Sequence, residues 1–286
     1  MKILLIKENW SNFGVYVPLG LLYLSSYLEK NGYDTIVRDL NYQTMDDLWE
    51  PIKQGEISVV GISMLSYIRK SSYALIHKIK QQNSNIKIII GGNHASTLYK
   101  TLIELLPIDA VVIGEGEETL LQLINNIRDN KSLLNIPGSY VKDGTYTPRE
   151  LIKDLDTIPF PAYDKIQFSN YIPSIKSAKP EYKCNGIQLK DTIYSNMITS
   201  RGCTGKCVFC DIYKHWGNKP RFRSAKNVFD EISHLHTTYG VNFFEFNDDS
   251  FALSPNITRE LCQRIIDSGI KIIWISAIRA DKCLDL

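Results

Sequence analysis

The sequence predicts an α/β chain built on parallel sheets, and three observations carry that expectation. Short apolar segments alternate with amphipathic stretches over about the first 130 residues. A stretch rich in proline and weak in periodicity follows. The same alternation then resumes from about residue 191 to the C-terminus. Strands separated by helices imply parallel pairing, with both faces of the sheet covered.

In the first stretch, strands are expected at Lys2 to Ile6, Asp34 to Asp39, Val59 to Ser63, Lys87 to Ile90 and Ala110 to Ile113. Between them, helices are expected at Leu19 to Asn31, Met45 to Lys53, Tyr73 to Gln82 and Ser96 to Leu106, with a fifth at Glu117 to Ile127. The first carries Leu21, Leu22, Leu24, Tyr27 and Leu28 at helical spacing and stops at Asn31-Gly32. Right-handed crossovers make this a doubly wound, Rossmann- or flavodoxin-like domain over residues 1–135. Residues 136–190 hold prolines 137, 148, 159, 161, 173 and 180 and read as a linker, with short strands at Ser139 to Val141 and around Ile187 to Leu189. Residues 191–286 give strands at Tyr194 to Ser200, Asn242 to Phe246 and Lys271 to Ala277. Two helices alternate with them, one capped by Ser224 and reaching Tyr239-Gly240, the other running from Pro255 to Ser268 before Gly269.

Composition narrows the class. Of 286 residues 44% are hydrophobic and 22% charged, which excludes a wholly disordered or collagen-like chain. Thirty-three basic against 31 acidic residues leave a net charge of +2, so no nucleic acid or other polyanion is implied as partner. No apolar run reaches the roughly 18 to 20 residues of a membrane helix. Lys7-Glu8 interrupts the N-terminal apolar run too early for a signal peptide, so the cytoplasm is the expected location. Six cysteines are too few for a disulfide scaffold. Cys184, Cys262 and Cys283 are scattered and read as buried small hydrophobes, whereas Cys203, Cys207 and Cys210 fall within eight residues.

Three thiolates on one loop can hold three irons of a cubane and leave the fourth iron open to a ligand. A Cys3His zinc site completed by His215, five residues past Cys210, is the other reading of the same residues. The spacing C-x3-C-x2-C, with Phe209 before the last cysteine, resembles the radical S-adenosylmethionine superfamily. Arg221-Phe222-Arg223-Ser224, Glu231-Ile232, Tyr239-Gly240 and the run Phe244 to Phe251 are similar to the segment after the cluster in its subgroup with an N-terminal cobalamin domain. Leu155-Asp156, Ile158-Pro159-Phe160-Pro161, Trp274, Arg279 and Asp281 also resemble that subgroup. The resemblance implies a 4Fe–4S cluster on Cys203, Cys207 and Cys210. It also implies S-adenosylmethionine contacts from Phe209, Asp248 and Asp249, and a partial TIM barrel of which residues 191–286 are the first half. Asp248 and Asp249 can equally be turn residues. Arg279 can reach the barrel mouth or pair with Asp281 or Asp248, and Arg221 and Arg223 can cover the cluster loop.

In a doubly wound sheet, ligands bind beyond the carboxyl ends of the strands. Three such ends stand out: Ser63-Met64-Leu65, Gly91-Gly92 and Gly114-Glu115-Gly116-Glu117-Glu118. Twenty-five residues separate Leu65 from Gly91. This order resembles the cobalamin-binding domain, which implies contacts to that cofactor from Ser63, Leu65, Gly91, Gly92 and Glu115, the glycines giving it room. The cobalt-ligating histidine of the family has no counterpart. With Gly20 at the motif glycine, Val15 and Val17 stand at the Asp and His positions. Glu115, Glu117 and Glu118 can alternatively favour a helix N-terminus, and His94 is expected to be a surface loop residue.

The resemblance implies an enzyme that cleaves S-adenosylmethionine reductively. Cobalamin-dependent methylation of an unreactive carbon is the leading expectation. Radical rearrangement, cyclisation or sulfur insertion is a second, and a zinc module or inactive fragment a third. The implied partners are a small-molecule substrate and an electron donor such as flavodoxin or ferredoxin. Three strands follow residue 190 where the superfamily barrel usually has six. The chain is therefore expected to be a truncated piece that binds its cluster weakly, tends to associate, and is completed by a second polypeptide.

Overall fold

The structure, a computed structural model, describes residues 1–9, 16–217 and 219–279. Val15, Asp281, Cys283 and Leu286, named above, lie outside the described residues. The chain divides into two compact units. The first comprises the N-terminal strand, Gly20–Leu151 and Pro159–Ile166; the second takes the segment ending at Leu19, Ile152–Ile158 and the chain from Gln167 onward.

The first unit alternates strands and helices as β1 (Lys2–Lys7), α1 (Leu19–Lys30), β2 (Asp34–Asp39), α2 (Trp49–Lys53), β3 (Ile57–Ser63), α3 (Arg69–Gln82), β4 (Lys87–Gly91), α4 (Asn93–Leu105), β5 (Ala110–Val112) and α5 (Glu117–Arg128). A short β6 (Ser139–Tyr140) follows. The sheet order is β2-β1-β3-β4-β5-β6, parallel throughout except for β6, which pairs antiparallel with β5. This is the flavodoxin-like order, whose ligand crevice opens where the strand order reverses, beside β1 and β3. Leu4, Ile6, Val60, Ile62, Ile88, Ile90 and Val111 alternate along the strands onto one face. There they meet Leu75, Ile76 and Ile79 of α3 and Leu102 and Ile103 of α4. One correction to the sequence reading concerns Ser139–Tyr140, assigned to the linker. Val112↔Ser139 and Val111↔Tyr140 pairing makes it the edge of the first sheet, because it satisfies backbone groups β5 would otherwise expose.

The second unit opens with α6 (Ser174–Ala178) and a small hairpin of β7 (Lys183–Cys184) and β8 (Ile187–Gln188). Its core is β9 (Tyr194–Met197), α8 (Ala225–Tyr239), β12 (Phe243–Phe246), α9 (Pro255–Ser268) and β13 (Ile273–Ser276), a parallel sheet ordered β13-β12-β9. Between β9 and α8 lie β10 (Ser200–Arg201), α7 (Ile212–Trp216) and β11 (Arg221–Phe222). Ser224 caps α8 by accepting from the Asn227 amide, and Gly240 closes it at φ +71. The single strand expected over Tyr194 to Ser200 is two. After Met197 the chain leaves β12, and Ser200 and Arg201 pair instead with Phe222 and Arg221. Ile272 and Ile273 are buried.

Candidate functional site

Beyond the carboxyl end of β12 the chain runs Asn247-Asp248-Asp249-Ser250, and the two aspartates reach across to the end of β9. Asp248 Oδ1 accepts from the Thr199 amide at 3.0 Å, Thr199 Oγ1 at 3.0 Å and Ser200 Oγ at 2.6 Å. Asp249 Oδ2 accepts from the Gly202 amide at 3.0 Å. From the other side, the Arg223 amide donates to Thr199 O at 2.9 Å, and its guanidinium donates to Ile198 O at 2.9 Å and Asn227 Oδ1 at 2.6 Å. That guanidinium also pairs with the buried Glu231. Residues 198–202, immediately before the first cysteine, are therefore held on both flanks. Arg223 ties down the strand end, and Arg221 donates to Ile152 O at 2.6 Å. Burial pushes the Asp248 carboxyl up to about 6 against the pull of its hydrogen bonds. Its Oδ2 is buried without a hydrogen-bond partner among the described residues. Asp249 is raised by burial, with the Gly202 amide opposing.

The β10–β11 pairing closes the base of the cysteine loop. Cys203 Sγ accepts from the Gly205 amide at 3.3 Å, and the Cys210 amide donates to Cys207 O at 3.0 Å. A Cβ on Gly205 would stand 2.8 Å from Arg279 Nη1, 3.4 Å from Cys203 Sγ and 3.7 Å from Cys207 Sγ, so two sulfurs flank this glycine and its missing side chain leaves room for the guanidinium. Arg279 Nη1 reaches 4.0 Å from Cys207 Sγ, which places it at the loop. Cys203 and Cys210 are half-buried, Cys207 is exposed, and Cys184 and Cys262 are half-buried. Among the described residues no three metal-binding side chains already converge. The donor set nonetheless suits an iron–sulfur cluster, with three thiolates on one loop and two of them, Cys203 and Cys207, beside Gly205. His215 Nε2 lies 3.7 Å from the Asp211 carboxylate. Phe209 projects into solvent, 89% exposed beside Val208. The structure thus gathers Asp248 and Asp249 at the base of the cysteine loop, while Phe209 is far more open than the aspartates.

A cavity of about 490 Å³ opens at the same strand ends, lined by Tyr16, Glu245, Asn247, Asp248, Ile275 and Ser276 among others. Glu245 Oε2 accepts from the buried Tyr194 hydroxyl at 2.7 Å. Burial and the Glu245 charge hold the Tyr194 phenol well above its ordinary range, so it remains a donor. Beside it, the Asn196 carboxamide reads the main chain of Val17, accepting from its amide at 2.7 Å and donating to its carbonyl at 3.3 Å. Sequence reasoning missed Glu245, Tyr194 and Asn196. The available signal was a carboxylate inside the phenylalanine run Phe243-Phe244-Glu245-Phe246.

In the first unit, the ends of β3 and β4 come together. Ser63 pairs with Gly91, the Met64 amide donates to Gly91 O at 2.8 Å, and the His94 amide donates to Met64 O at 3.2 Å. Ser63 and Leu65 are half-buried at this seam, and Glu115 is buried in the loop after β5. Ser63 Oγ makes no hydrogen bond to any described residue, which leaves a hydroxyl for a ligand at the position where cobalamin is implied. The room expected from the glycines has a different cause. Gly92 sits at φ +90, and a Cβ there would stand 2.8 Å from Met64 O, so this glycine is required by the protein's own backbone. At Gly91 a Cβ would make ordinary contacts at 3.7 Å with Val112. His94 is buried, 4% exposed, rather than a surface residue. Its Nδ1 lies 2.9 Å from Ser66 Oγ and its Nε2 3.1 Å from Tyr73 OH, so both ring nitrogens are engaged. Val17 is buried and bonded to Asn196.

The structure thus holds two strand-end sites, one on a flavodoxin-ordered sheet and one on a βαβαβ unit with a three-cysteine loop, and solved cobalamin-dependent radical S-adenosylmethionine enzymes share this fold. Residues 13–124 match the B12 binding domain family. The chain is 32% identical to an uncharacterized methyltransferase of Pyrococcus horikoshii, over 92% of this chain and 55% of that one. It is 28% identical to the anaerobic magnesium-protoporphyrin IX monomethyl ester cyclase of Rubrivivax gelatinosus, over 96% of this chain and 50% of the relative. Its fold superposes with TM-score 0.68 and 21% identity on the radical S-adenosylmethionine methyltransferase TsrM from Kitasatospora setae, solved with cobalamin and a 4Fe–4S cluster. That match covers 93% of this chain and 51% of TsrM. The chain spans about half the length of the curated relatives it matches. Among the described residues no helix is long and apolar enough to cross a membrane.

Proposed function

We propose that this chain carries the cofactor-binding part of a cobalamin-dependent radical S-adenosylmethionine enzyme that methylates an unreactive carbon of a small molecule. The observation that carries the reading is the presence, in one chain, of a B12-type domain and a three-thiolate loop tied to the strand ends of a barrel-like unit. Cys203, Cys207 and Cys210 would hold the cluster, with Gly205 giving the Arg279 guanidinium room beside two of the sulfurs. Asp248 offers its open Oδ2, and Phe209 its ring, to S-adenosylmethionine. Ser63, Leu65 and Gly91 line the seam for cobalamin, with Glu115 in the next loop. When bound, the cluster supplies single electrons and cobalamin a transferable methyl group. An electron donor such as flavodoxin or ferredoxin would feed the cluster.

The chain's own residues do three things. The Asp248–Asp249 clamp fixes the entry to the cysteine loop, Arg279 places positive charge beside Cys207, and Val17 offers no imidazole where the resemblance places the cobalt-ligating histidine. The similarity to a cyclase favours a second reading, in which the radical step proceeds without methyl transfer. The test is anaerobic reconstitution of the full-length protein with iron, sulfide and cobalamin, followed by assay with methyl-labelled S-adenosylmethionine. Iron loading, 5′-deoxyadenosine and label appearing on cobalamin support methylation. 5′-Deoxyadenosine without labelled cobalamin supports the second reading. Zinc in place of iron, or no cleavage, overturns both.

A further inference from the structure

Four arginines stand around the cysteine loop, and their contacts differ in kind. Arg201 is buried and lies over the Trp216 ring, 5.2 Å from its centroid. Arg221 donates to Ile152 O, and Arg223 donates to Ile198 O and pairs with the buried Glu231. These contacts hold protein to protein. Arg279 instead reaches a cysteine sulfur, with Nη1 4.0 Å from Cys207 Sγ.

Two features put Arg279 there, and neither depends on the other. The first is register. β13 runs parallel to β12 with Ser276 opposite Phe246, so the chain leaves both strands at the same end. The Phe251 amide donates to Ala277 O at 2.9 Å, which ties the exit of β13 to the loop after β12. In that loop Asp248 and Asp249 hold the base of the cysteine loop. Arg279 follows Ala277 by two positions. The second feature is Gly205. Gly202 sits at φ +98, a conformation that favours glycine, but Gly205 has no such φ. What keeps a side chain away from position 205 is space, because a Cβ there would stand 2.8 Å from Arg279 Nη1. A loop position and a strand exit far apart in the sequence are thus fitted to each other.

The charge of the implied cluster says what a guanidinium does at this place. A resting 4Fe–4S core carries two positive charges against three thiolates, a net single negative charge. One electron from a low-potential donor makes it doubly negative. A cation beside a ligand sulfur, or an N–H aimed at it, therefore favours the reduced state over the resting one. Cys207 is exposed, so water and salt weaken this effect without abolishing it.

We propose that Arg279 sets the reduction potential of the cluster by holding a cation at the Cys207 sulfur, and that Gly205 is the position that admits it. This rests on the function proposed above, which supplies the cluster, and deepens it by naming a residue that governs when the cluster accepts its electron.

The experiment uses the full-length protein, reconstituted anaerobically with iron and sulfide and without S-adenosylmethionine. Dithionite and viologen dyes set the ambient potential, and electron paramagnetic resonance counts the reduced cluster. In Arg279→Gln the ratio of reduced to oxidised cluster at one ambient potential should fall about tenfold, equivalent to about 59 mV. Arg279→Lys keeps the charge and should lower the ratio by less than about threefold. Gly205→Ala displaces only the far end of a flexible side chain, so the loop should keep its iron while the ratio falls by about threefold or more. Combined with Arg279→Gln, Gly205→Ala should add nothing, because its methyl then has no guanidinium to displace. An unchanged ratio in iron-loaded Arg279→Gln overturns the proposal and leaves Arg279 a structural residue. So does a shift that appears only once S-adenosylmethionine is added, since the guanidinium would then serve the cosubstrate's carboxylate. If Arg279→Gln does not hold iron, Gly205→Ala decides, and an unchanged ratio there overturns the proposal. Failure of the unaltered protein to load iron sinks the functional reading and this proposal with it, whereas loaded clusters of equal potential sink this proposal alone.

Discussion

The two strand-end crevices of this chain are built by the same βα grammar and differ in what their polar atoms are doing. In the first unit, charge is paired or removed. Lys7 and Asp39 form a buried ion pair at 2.9 Å, and His94 is kept neutral by burial, with Arg69 adding to the effect. Among the described residues of its β3–β4 seam, the Ser63 hydroxyl makes no hydrogen bond. In the second unit, Glu245, Asp248 and Asp249 line up at the strand ends, and two of their oxygens lack partners among the described residues. The contrast teaches that topology locates a ligand site, whereas the sign and freedom of the terminal side chains choose the ligand. A neutral seam suits a large cofactor held by shape. A carboxylate-rich mouth suits cations and the ordered loop they need.

The largest test of that contrast is removal of the thiolates. Cys203→Ser, Cys207→Ser and Cys210→Ser should each abolish iron retention and the visible absorbance of a reconstituted cluster, whereas Cys262→Ser should leave both in place. Iron loss in the Cys262 variant would break the assignment. Next, Asp248→Ala leaves the Thr199 amide and two hydroxyls without their acceptor and should cost about 1–3 kcal/mol in the second unit's urea unfolding. Asp249→Ala removes the acceptor of one amide and should cost about 1 kcal/mol. Equal losses would show that the clamp does not work through hydrogen-bond count.

In the first unit the comparison sharpens at the glycine pair. Gly92→Ala meets Met64 O and an unfavourable φ, and should cost about 1–3 kcal/mol in apo-protein stability. Gly91→Ala should be close to neutral, because its added carbon finds ordinary contacts. Cofactor-free protein showing the reverse order would restore the idea that the glycines exist for the ligand. The smallest effect is a pH dependence. The folded state lowers the His94 pKa below 6.5, so the unfolded chain takes up the proton first. Stability is complete above about 6.5 and declines as pH falls through that value toward the folded pKa. His94→Gln should flatten this part of the first unit's stability profile, measured by denaturant midpoints from pH 7.5 to 5.

What could be read from the sequence was local or periodic. The cysteine spacing, the Ser224 cap, the Gly240 and Gly269 stops and the five parallel strands depend on residues close in the chain, and all left marks there. Long-range partners left none. Nothing near Asp248 says that it will hold Ser200, 48 positions earlier. A short strand at Ser139 to Val141 was expected, but its place at the edge of the first sheet was not, because its partner β5 lies more than twenty-five positions earlier and leaves no local mark. His94 was misplaced on the surface because its burial follows from the Gly92 turn, which brings the histidine against Ser66 and Tyr73. Glu245 was passed over because a charge in a strand is informative only once its face is known.

The hydrogen-bond pair between Val17 and Asn196 has a consequence for anyone who would take the molecule apart. The residues up to Leu19 follow β1 of the first unit in the chain, yet Val17 and its neighbours belong to the second. A gene cut anywhere between the two βα series therefore leaves the second unit without its N-terminal segment. A fragment beginning at Ile152 would keep Asn196, 2% exposed here, but lose both main-chain partners of its carboxamide. Each orphaned donor or acceptor costs about 1–3 kcal/mol where water does not replace the partner. Dissection should therefore supply residues 12–19 as a separate peptide or splice them ahead of residue 152.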